Sequence, residues 1–172
     1  VDEFGAINIL INNAGVMLLE PLEEADRENL RQMIEVNLLG LMNLTHAALP
    51  VMQEQDTGHI VNISSTAGRR AGAKSSGYNA TKFGVNAFTE AVRQEVTTEG
   101  IRTTIVEPGA VDTELQDHIP DEEIKQQIEE GMIESMTPLE SEDIARAVAY
   151  AVFFFKQKTA YEMLIRPTDQ QR

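Results

Sequence analysis

Three short runs rich in Ile and Val constrain the fold of this chain more than any other feature. They lie at residues 7–11, 60–63 and 103–106, and their apolar residues are nearly continuous rather than alternating with polar ones. A strand has this pattern when helices cover both faces of a parallel sheet. The runs therefore predict three parallel strands.

The segments between these runs are long enough for helices and have helical periodicity. Residues 23–55 carry Leu and Ile at spacings of three and four, interrupted near Asn37 and Gly40. Residues 76–99 have one apolar face, and Gly100 ends the pattern. Strands that alternate with helices predict an α/β fold.

The charge balance excludes several classes of partner. The 172 residues include 14 Lys and Arg against 28 Asp and Glu, for a net charge of −14. Nucleic-acid binding depends on clustered basic side chains, so we expect no nucleic-acid partner and no anionic membrane surface. The sequence has no Cys, no apolar run near the ~20 residues of a spanning helix, and no export signal. We expect one domain in the cytoplasm.

Polar and turn-forming residues follow each predicted strand. Asn12-Asn13-Ala14-Gly15 follow the first strand, Ser64-Ser65 the second, and residues 108–113 (PGAVDT) the third. An open parallel sheet binds ligands at the carboxyl ends of its strands, so all three groups lie on the predicted functional edge. Each group taken alone is more often a turn.

A tyrosine and a lysine four residues apart lie early in the second helical segment. This spacing places Tyr78 and Lys82 on one helical face. An ammonium beside a phenol favours the phenolate, so the pair predicts a lowered pKa for Tyr78 and a usable acid or base. The pair taken alone is also compatible with a half-buried tyrosine beside a solvated lysine.

Together these residues resemble the short-chain dehydrogenase/reductase family, over about residues 4–152 and again near 164–167. The matching features are NNAG after the first strand, Asn37 within VNLLG, Ser65 placed 13 residues before Tyr78, the YxxxK pair, and Pro108-Gly109 after the next strand. The spacing selects Ser65 rather than Ser64 as the family's serine. The resemblance implies part of a Rossmann-type doubly wound parallel sheet, with strands like the family's fourth to seventh and helices on both faces.

The resemblance also implies a role for each matching residue. Tyr78 would exchange a proton with the substrate oxygen, and Ser65 would bind that oxygen. Lys82 would hold the nicotinamide ribose and lower the Tyr78 pKa, and Asn37 would anchor a water that links Lys82 to solvent. The residues implied in cofactor binding are Asn13, Ala14, Gly15, Tyr78, Lys82, Pro108, Gly109, Val111 and Thr113.

The implied activity is hydride transfer between NADP or NAD and a small alcohol or carbonyl substrate. The family's glycine-rich TGxxxGxG turn and the strand that selects the cofactor do not occur in the sequence, so the two cofactors are not distinguished. We expect residues 1–172 to be a partial, N-terminally truncated NAD(P)-binding domain that is inactive by itself. The full-length enzyme would be a homodimer or homotetramer. The alternative is a non-catalytic relative that acts as an interaction or assembly module.

Residues 153–162 depart from the family pattern. The string FFKQKTAYE within them resembles a one-frame translation of a sequencing-library adapter. We therefore expect an assembly artefact here, followed by a family-like last strand and tail, MLIRPTDQQR.

An acidic stretch and three histidines are the other candidate sites. Residues 114–143 carry eleven acidic side chains against Lys125 alone, which could form a metal site or a carboxylate pair. A regular stripe of Ile124, Ile128 and Ile133 favours a solvated helix face instead, and the resemblance makes this stretch a mobile segment over the substrate. His46, His59 and His118 lack metal-ligand spacing and are interpreted as structural or exposed, so no metal site is predicted.

Overall fold

A four-stranded parallel sheet forms the centre of the computed structural model, which describes residues 3–135, 137–154 and 162–170. The strands are β1 (Ile9–Asn12), β2 (Gly58–Ile63), β3 (Ile101–Pro108), β4 (Val111–Asp112), β5 (Leu139–Glu140) and β6 (Glu162–Ile165). Strands β1, β2, β3 and β6 are neighbours in that order and all parallel, whereas β4 and β5 form a separate parallel pair. The predicted α/β class with a parallel sheet is confirmed.

Helical segments connect the strands. They are α1 (Arg27–Ile34), a π-helical turn (Glu35–Gly40), α2 (Leu41–Glu54), a 3-10 turn (Thr66–Gly68), α3 (Ser76–Val96), a second 3-10 turn (Glu114–His118), α4 (Glu122–Ser135) and α5 (Ser141–Phe154). Asp26 caps α1 by accepting the N–H of Glu28. Gly100 has a φ of 71°, which lets the chain reverse after α3 and enter β3. None of the helices in the described ranges is both long and apolar enough to cross a membrane.

Helices cover both faces of the sheet at β2, which explains its continuous apolar run, whereas Ile9 and Ile11 of β1 are exposed on one face. Ile60 of β2 packs with Met52 of α2 and Val96 of α3 on one face. Its neighbour Val61 packs with Val152 of α5 on the other face. Because consecutive residues of a strand point to opposite faces, both positions must be apolar.

The predicted elements correspond closely to the observed ones. All three predicted strands are present, and β6 confirms the expected last strand. The interruption expected near Asn37 and Gly40 is the π-helical turn between α1 and α2. Residues 155–161 of the adapter-like string lie outside the described residues.

Candidate active site

A cleft of about 1120 Å³ opens at the sheet edge where β1, β2 and β3 end. Ten of the predicted site residues line it: Asn13, Ala14, Gly15, Ser65, Tyr78, Lys82, Pro108, Gly109, Val111 and Thr113. The remaining one, Asn37, is buried close to Gly15 and Lys82. The fold therefore brings four separate segments, namely the three that follow β1, β2 and β3 and the start of α3, to one place.

Tyr78 lies in the first turn of α3 with a side chain that is 7% exposed. It belongs to an apolar cluster that includes Leu19 and Met33. Burial raises the pKa of Tyr78 to about 12, and a hydrogen bond with the Ser65 side chain acts in the opposite direction. The expected lowering of this pKa by Lys82 is not found: Lys82 Nζ lies 5.6 Å from the ring centre, and the pKa is raised because the phenolate would lose its water.

Lys82 is buried one helical turn after Tyr78. Its Nζ donates a hydrogen bond to the carbonyl of Ile63, the last residue of β2, at 3.1 Å. Burial lowers the pKa of Lys82 to about 8, so the ammonium is still mostly protonated at neutral pH. This is its only hydrogen bond to the part of the chain that the structure describes, which leaves two ammonium protons for a ligand.

Gly15 keeps the space in front of Lys82 open. A Cβ at this position would lie 3.4 Å from Asn37 Oδ1 and 3.8 Å from Lys82 Nζ. A longer side chain would enter the space that the ammonium faces. The site thus has a cation next to a gap without a side chain, which suits a ligand that carries hydroxyl groups.

The two serines after β2 have different environments. Ser64 is buried, and its hydroxyl donates to the carbonyl of Lys82 at 3.3 Å. Ser65 begins the first 3-10 turn, and its Oγ accepts the N–H of Ala67 at 3.1 Å. Ser65 is the serine that the structure brings to Tyr78.

The two asparagines after β1 also differ. Asn12 is buried, and its Nδ2 donates to Thr45 Oγ1 at 3.2 Å and to Asn62 Oδ1 at 2.8 Å. It therefore ties β1 to α2 and β2. Asn13 is exposed and lines the cleft, so of the pair only Asn13 faces a ligand.

Sequence reasoning missed several polar residues that hold the site together. Asn79, next to Tyr78, donates to the Ala67 carbonyl at 2.8 Å and accepts the Gly72 N–H at 3.1 Å. These hydrogen bonds attach the loop that carries Ser65 to α3. A second network contains Glu107, which is fully buried at the end of β3. A carboxylate that directly follows the apolar pair Ile105-Val106 in a predicted buried strand was the available signal, because a buried charge requires a partner.

The acidic stretch exposes its carboxylates and turns its apolar residues inward. Glu122 and Glu123 are exposed, whereas Ile124 is buried against the Tyr78 cluster and Ile128 lines the cleft. The solvated-face interpretation is confirmed for this part of α4. No group of three metal-ligating side chains occurs within the described residues.

The three histidines lie outside the cleft lining. His46 and His118 are exposed. His59 is buried in β2 with Nε2 2.9 Å from Thr104 Oγ1, and burial lowers its pKa to about 4. Their interpretation as structural or exposed residues is confirmed.

Known proteins resemble this chain in sequence and in structure. A sequence profile described as short chain dehydrogenase matches residues 1–124. An uncharacterized oxidoreductase of Staphylococcus saprophyticus is 43% identical over 171 residues, which cover 98% of this chain and 68% of that protein.

Two solved structures share the fold at appreciable identity. Serine dehydrogenase from Escherichia coli has a TM-score of 0.80 at 32% identity, covering 96% of this chain and 66% of that one. A closed form of serine dehydrogenase complexed with NADP+ has a TM-score of 0.83 at 32% identity, covering 96% and 67%. The chain spans about two thirds of the length of these relatives.

Proposed function

This chain belongs to the short chain dehydrogenase family, and from that premise we propose its activity. The protein interconverts an alcohol and a ketone or aldehyde, with NADP or NAD as the hydride carrier. The meeting of Tyr78, Lys82 and Ser65 in one cleft carries this proposal. Residues 1–172 belong to one NAD(P)-binding domain.

Tyr78 is the group that exchanges the proton. A phenol with a pKa of about 12 is protonated at neutral pH, which is the form that donates to a carbonyl oxygen as it becomes an alcohol. In the reverse direction the phenolate would accept the proton of the alcohol, and the raised pKa of Tyr78 makes this the less favoured direction at neutral pH. The Ser65 hydroxyl binds the same oxygen, so two donors converge on the atom that gains negative charge.

Lys82 and the loop after β3 hold the cofactor. The free protons of the Lys82 ammonium would bind the hydroxyls of the nicotinamide ribose, for which Gly15 leaves room. Pro108, Gly109, Val111 and Thr113 form another wall of the same cleft, beside the nicotinamide. When bound, the nicotinamide ring supplies or accepts the hydride. The NADP+ complex of the similar serine dehydrogenase supports this cofactor class.

The walls of the cleft favour an uncharged substrate. Val16, Leu19, Leu115 and Ile128 line it, and Lys82 is the one charged side chain among the described lining residues. Burying a carboxylate without a partner of its own costs several kcal/mol. We therefore assign the substrate to ketones, aldehydes or alcohols with apolar substituents.

One spectrophotometric assay tests the activity and the substrate class together. The complete reading frame that contains this sequence is expressed, and oxidation of NADPH and NADH is followed with a methyl ketone and with the 2-oxo acid of the same carbon skeleton. We expect the ketone to have a kcat/KM at least about tenfold higher, because the acid must bury its carboxylate. A preference for the 2-oxo acid would contradict the assigned substrate class.

Substitution of Tyr78 tests the proton-exchange role. Tyr78→Phe is expected to lower kcat by about 10² to 10⁴ and to leave the cofactor Kd within a few-fold. The control is Tyr150→Phe, at an exposed tyrosine that does not line the cleft. If Tyr78→Phe keeps more than about a tenth of the wild-type kcat, Tyr78 is not this group. If the wild-type protein reduces nothing with either cofactor, the non-catalytic alternative is favoured.

We also propose a second copy of the protein as its macromolecular partner. Leu39, Leu44 and Phe83 expose about half of their surface on the π-helical turn, α2 and α3. Light scattering of the expressed protein tests this proposal, and a monomer at micromolar concentration would rule it out.

A further inference from the structure

We propose that Glu107 is a positioning residue that joins three segments of the site: the end of β3, the loop of Ser65 and helix α3. It lies at the end of β3, directly before the Pro108-Gly109 pair that lines the cleft, and its side chain is fully buried. Its carboxylate contacts the loop of Ser65 and the helix of Tyr78. This inference rests on the function proposed above and extends it.

The first contact fixes the loop that begins at Ser65. Arg69 donates to Glu107 Oε2 from Nε at 2.7 Å and from Nη2 at 2.6 Å. Arg69 directly follows the 3-10 turn that Ser65 caps, so this ion pair anchors the far end of the turn. Charge-assisted hydrogen bonds of this kind are about twice as strong as neutral ones.

The second contact fixes helix α3. Asn86 Nδ2 donates to Glu107 Oε1 at 2.8 Å and to the Gly68 carbonyl at 3.2 Å. Asn86 lies one helical turn after Lys82 and two turns after Tyr78. One carboxylate thus holds the Ser65 loop with one oxygen and the Tyr78 helix with the other.

The two segments that Glu107 joins are in direct contact. A Cβ at Gly68 would lie 2.8 Å from Ser64 Oγ and 2.9 Å from the Lys82 carbonyl, both closer than normal contacts allow. Arg69 also pairs with Glu162 of β6, which extends the network to the next strand. The Ser65 turn and α3 are therefore closely packed, and the Glu107 network sets their relative position together with the hydrogen bonds of Asn79.

The position of this turn determines the geometry of the reaction. Ser65 and Tyr78 must donate to one substrate oxygen, and a displacement of about 1 Å can lower the rate ~10²-fold. Glu107 does not line the cleft. Its loss should therefore lower kcat more than it changes KM.

The test compares two buried, shape-conserving substitutions. Glu107→Gln removes the charge that Arg69 pairs with. The control is Thr89→Val. Thr89 is also buried and lies on α3, but it does not line the cleft, and its loss removes a hydrogen bond from Asn62 Nδ2. Each protein, made from the complete reading frame, is assayed for kcat, KM and thermal stability, and hydrogen exchange is followed over residues 65–72.

Glu107→Gln should lower kcat about tenfold, leave KM within about twofold and speed exchange over residues 65–72. Thr89→Val should lower Tm without either effect. Arg69→Lys keeps a cation and should show the same changes in milder form, which provides a second variant if Glu107→Gln does not fold. The double variant Glu107→Gln/Arg69→Lys should lower kcat by less than the product of the two single effects, because both substitutions weaken one shared contact.

A wild-type kcat or wild-type exchange in Glu107→Gln would overturn the positioning role. A lowered kcat and faster exchange in Thr89→Val would also overturn the positioning role. In that case any loss of stability would be enough to cause both effects. If the wild-type protein reduces no carbonyl compound, the proposed function fails, and exchange over residues 65–72 alone decides whether Glu107 holds the loop.

Discussion

Asn37 and Val16 are joined by two hydrogen bonds that run in opposite directions. Asn37 Oδ1 accepts the Val16 N–H at 2.7 Å, and its Nδ2 donates to the Val16 carbonyl at 2.8 Å. The same Nδ2 donates to Thr81 Oγ1 at 3.2 Å, between Tyr78 and Lys82. One amide therefore holds the chain after Gly15 against the helix that carries the proposed acid. The role of Asn37 in anchoring a water stays a prediction.

Asn37→Ala should destabilise the fold strongly. It leaves both backbone groups of Val16 without their partner, and we expect a loss of about 2 to 4 kcal/mol in the free energy of unfolding. Urea denaturation measures this loss. The control is Asn43→Ala at an exposed position of α2, where a change within about 0.5 kcal/mol is expected. Equal losses in the two variants would contradict the structural role of Asn37.

Side chains of increasing size at Gly15 should weaken cofactor binding in steps. Gly15→Ala adds a Cβ at ordinary contact distance from Asn37 and Lys82, so the Kd should change only a few-fold. Gly15→Leu fills the space in front of the Lys82 ammonium and should raise the Kd at least about tenfold. Fluorescence titration with NADPH and NADH measures both. Unchanged binding in Gly15→Leu would show that the ribose does not lie there.

His59 should make the fold sensitive to acid. Burial lowers the pKa of His59 to about 4, so the unfolded chain binds the proton more tightly than the folded one. The free energy of unfolding should fall by about 3 kcal/mol as the pH drops from 6.5 to 4. His59→Gln should flatten this part of the urea-denaturation profile. His118→Gln, at an exposed position, should leave it unchanged, and a flattened profile there would disagree with the assignment.

Lys82 should destabilise the fold at neutral pH, and this penalty should disappear in alkali. Burial lowers the pKa of Lys82 to about 8, so between pH 8 and 10 the unfolded chain holds more protons and stability rises with pH. Above pH 10 the raised pKa of Tyr78 reverses the slope, because the unfolded chain loses its phenolic proton first.

Lys82→Met should therefore be more stable than the wild type at pH 7, by about 2 to 3 kcal/mol, while losing cofactor affinity. Its unfolding free energy should no longer rise between pH 8 and 10. A rise of equal size in both proteins would show that another group titrates there.

The parts of the site that follow local patterns were predictable from the sequence. The strands were predicted from Ile and Val runs, and an interruption in helical periodicity indicated the position of the π-helical turn but not its type. The pairing of Tyr78 with Lys82 follows from helix geometry alone. These features depend on residues that are near each other in the chain.

The network around Glu107 depends on contacts that no local pattern records. Arg69 and Glu107 are 38 positions apart, and Asn86 and Glu107 are 21 apart. The sign of the pKa shift at Tyr78 was wrong for a similar reason. Helix spacing indicates that Lys82 is near, but only the packing of Leu19 and Met33 around the ring shows how much water the phenolate would lose.

Because of the π-helical turn at Glu35–Gly40, the geometry of the site depends on the number of residues between α1 and α2. A π turn holds one residue more than an α turn, which rotates everything after it by about 100°. Deleting one residue here would restore a regular α-helix and turn either Asn37 away from Val16 or Met52 away from the sheet. The exposed position Glu35 should accept many side chains, whereas a single insertion or deletion within the π-helical turn should not be tolerated.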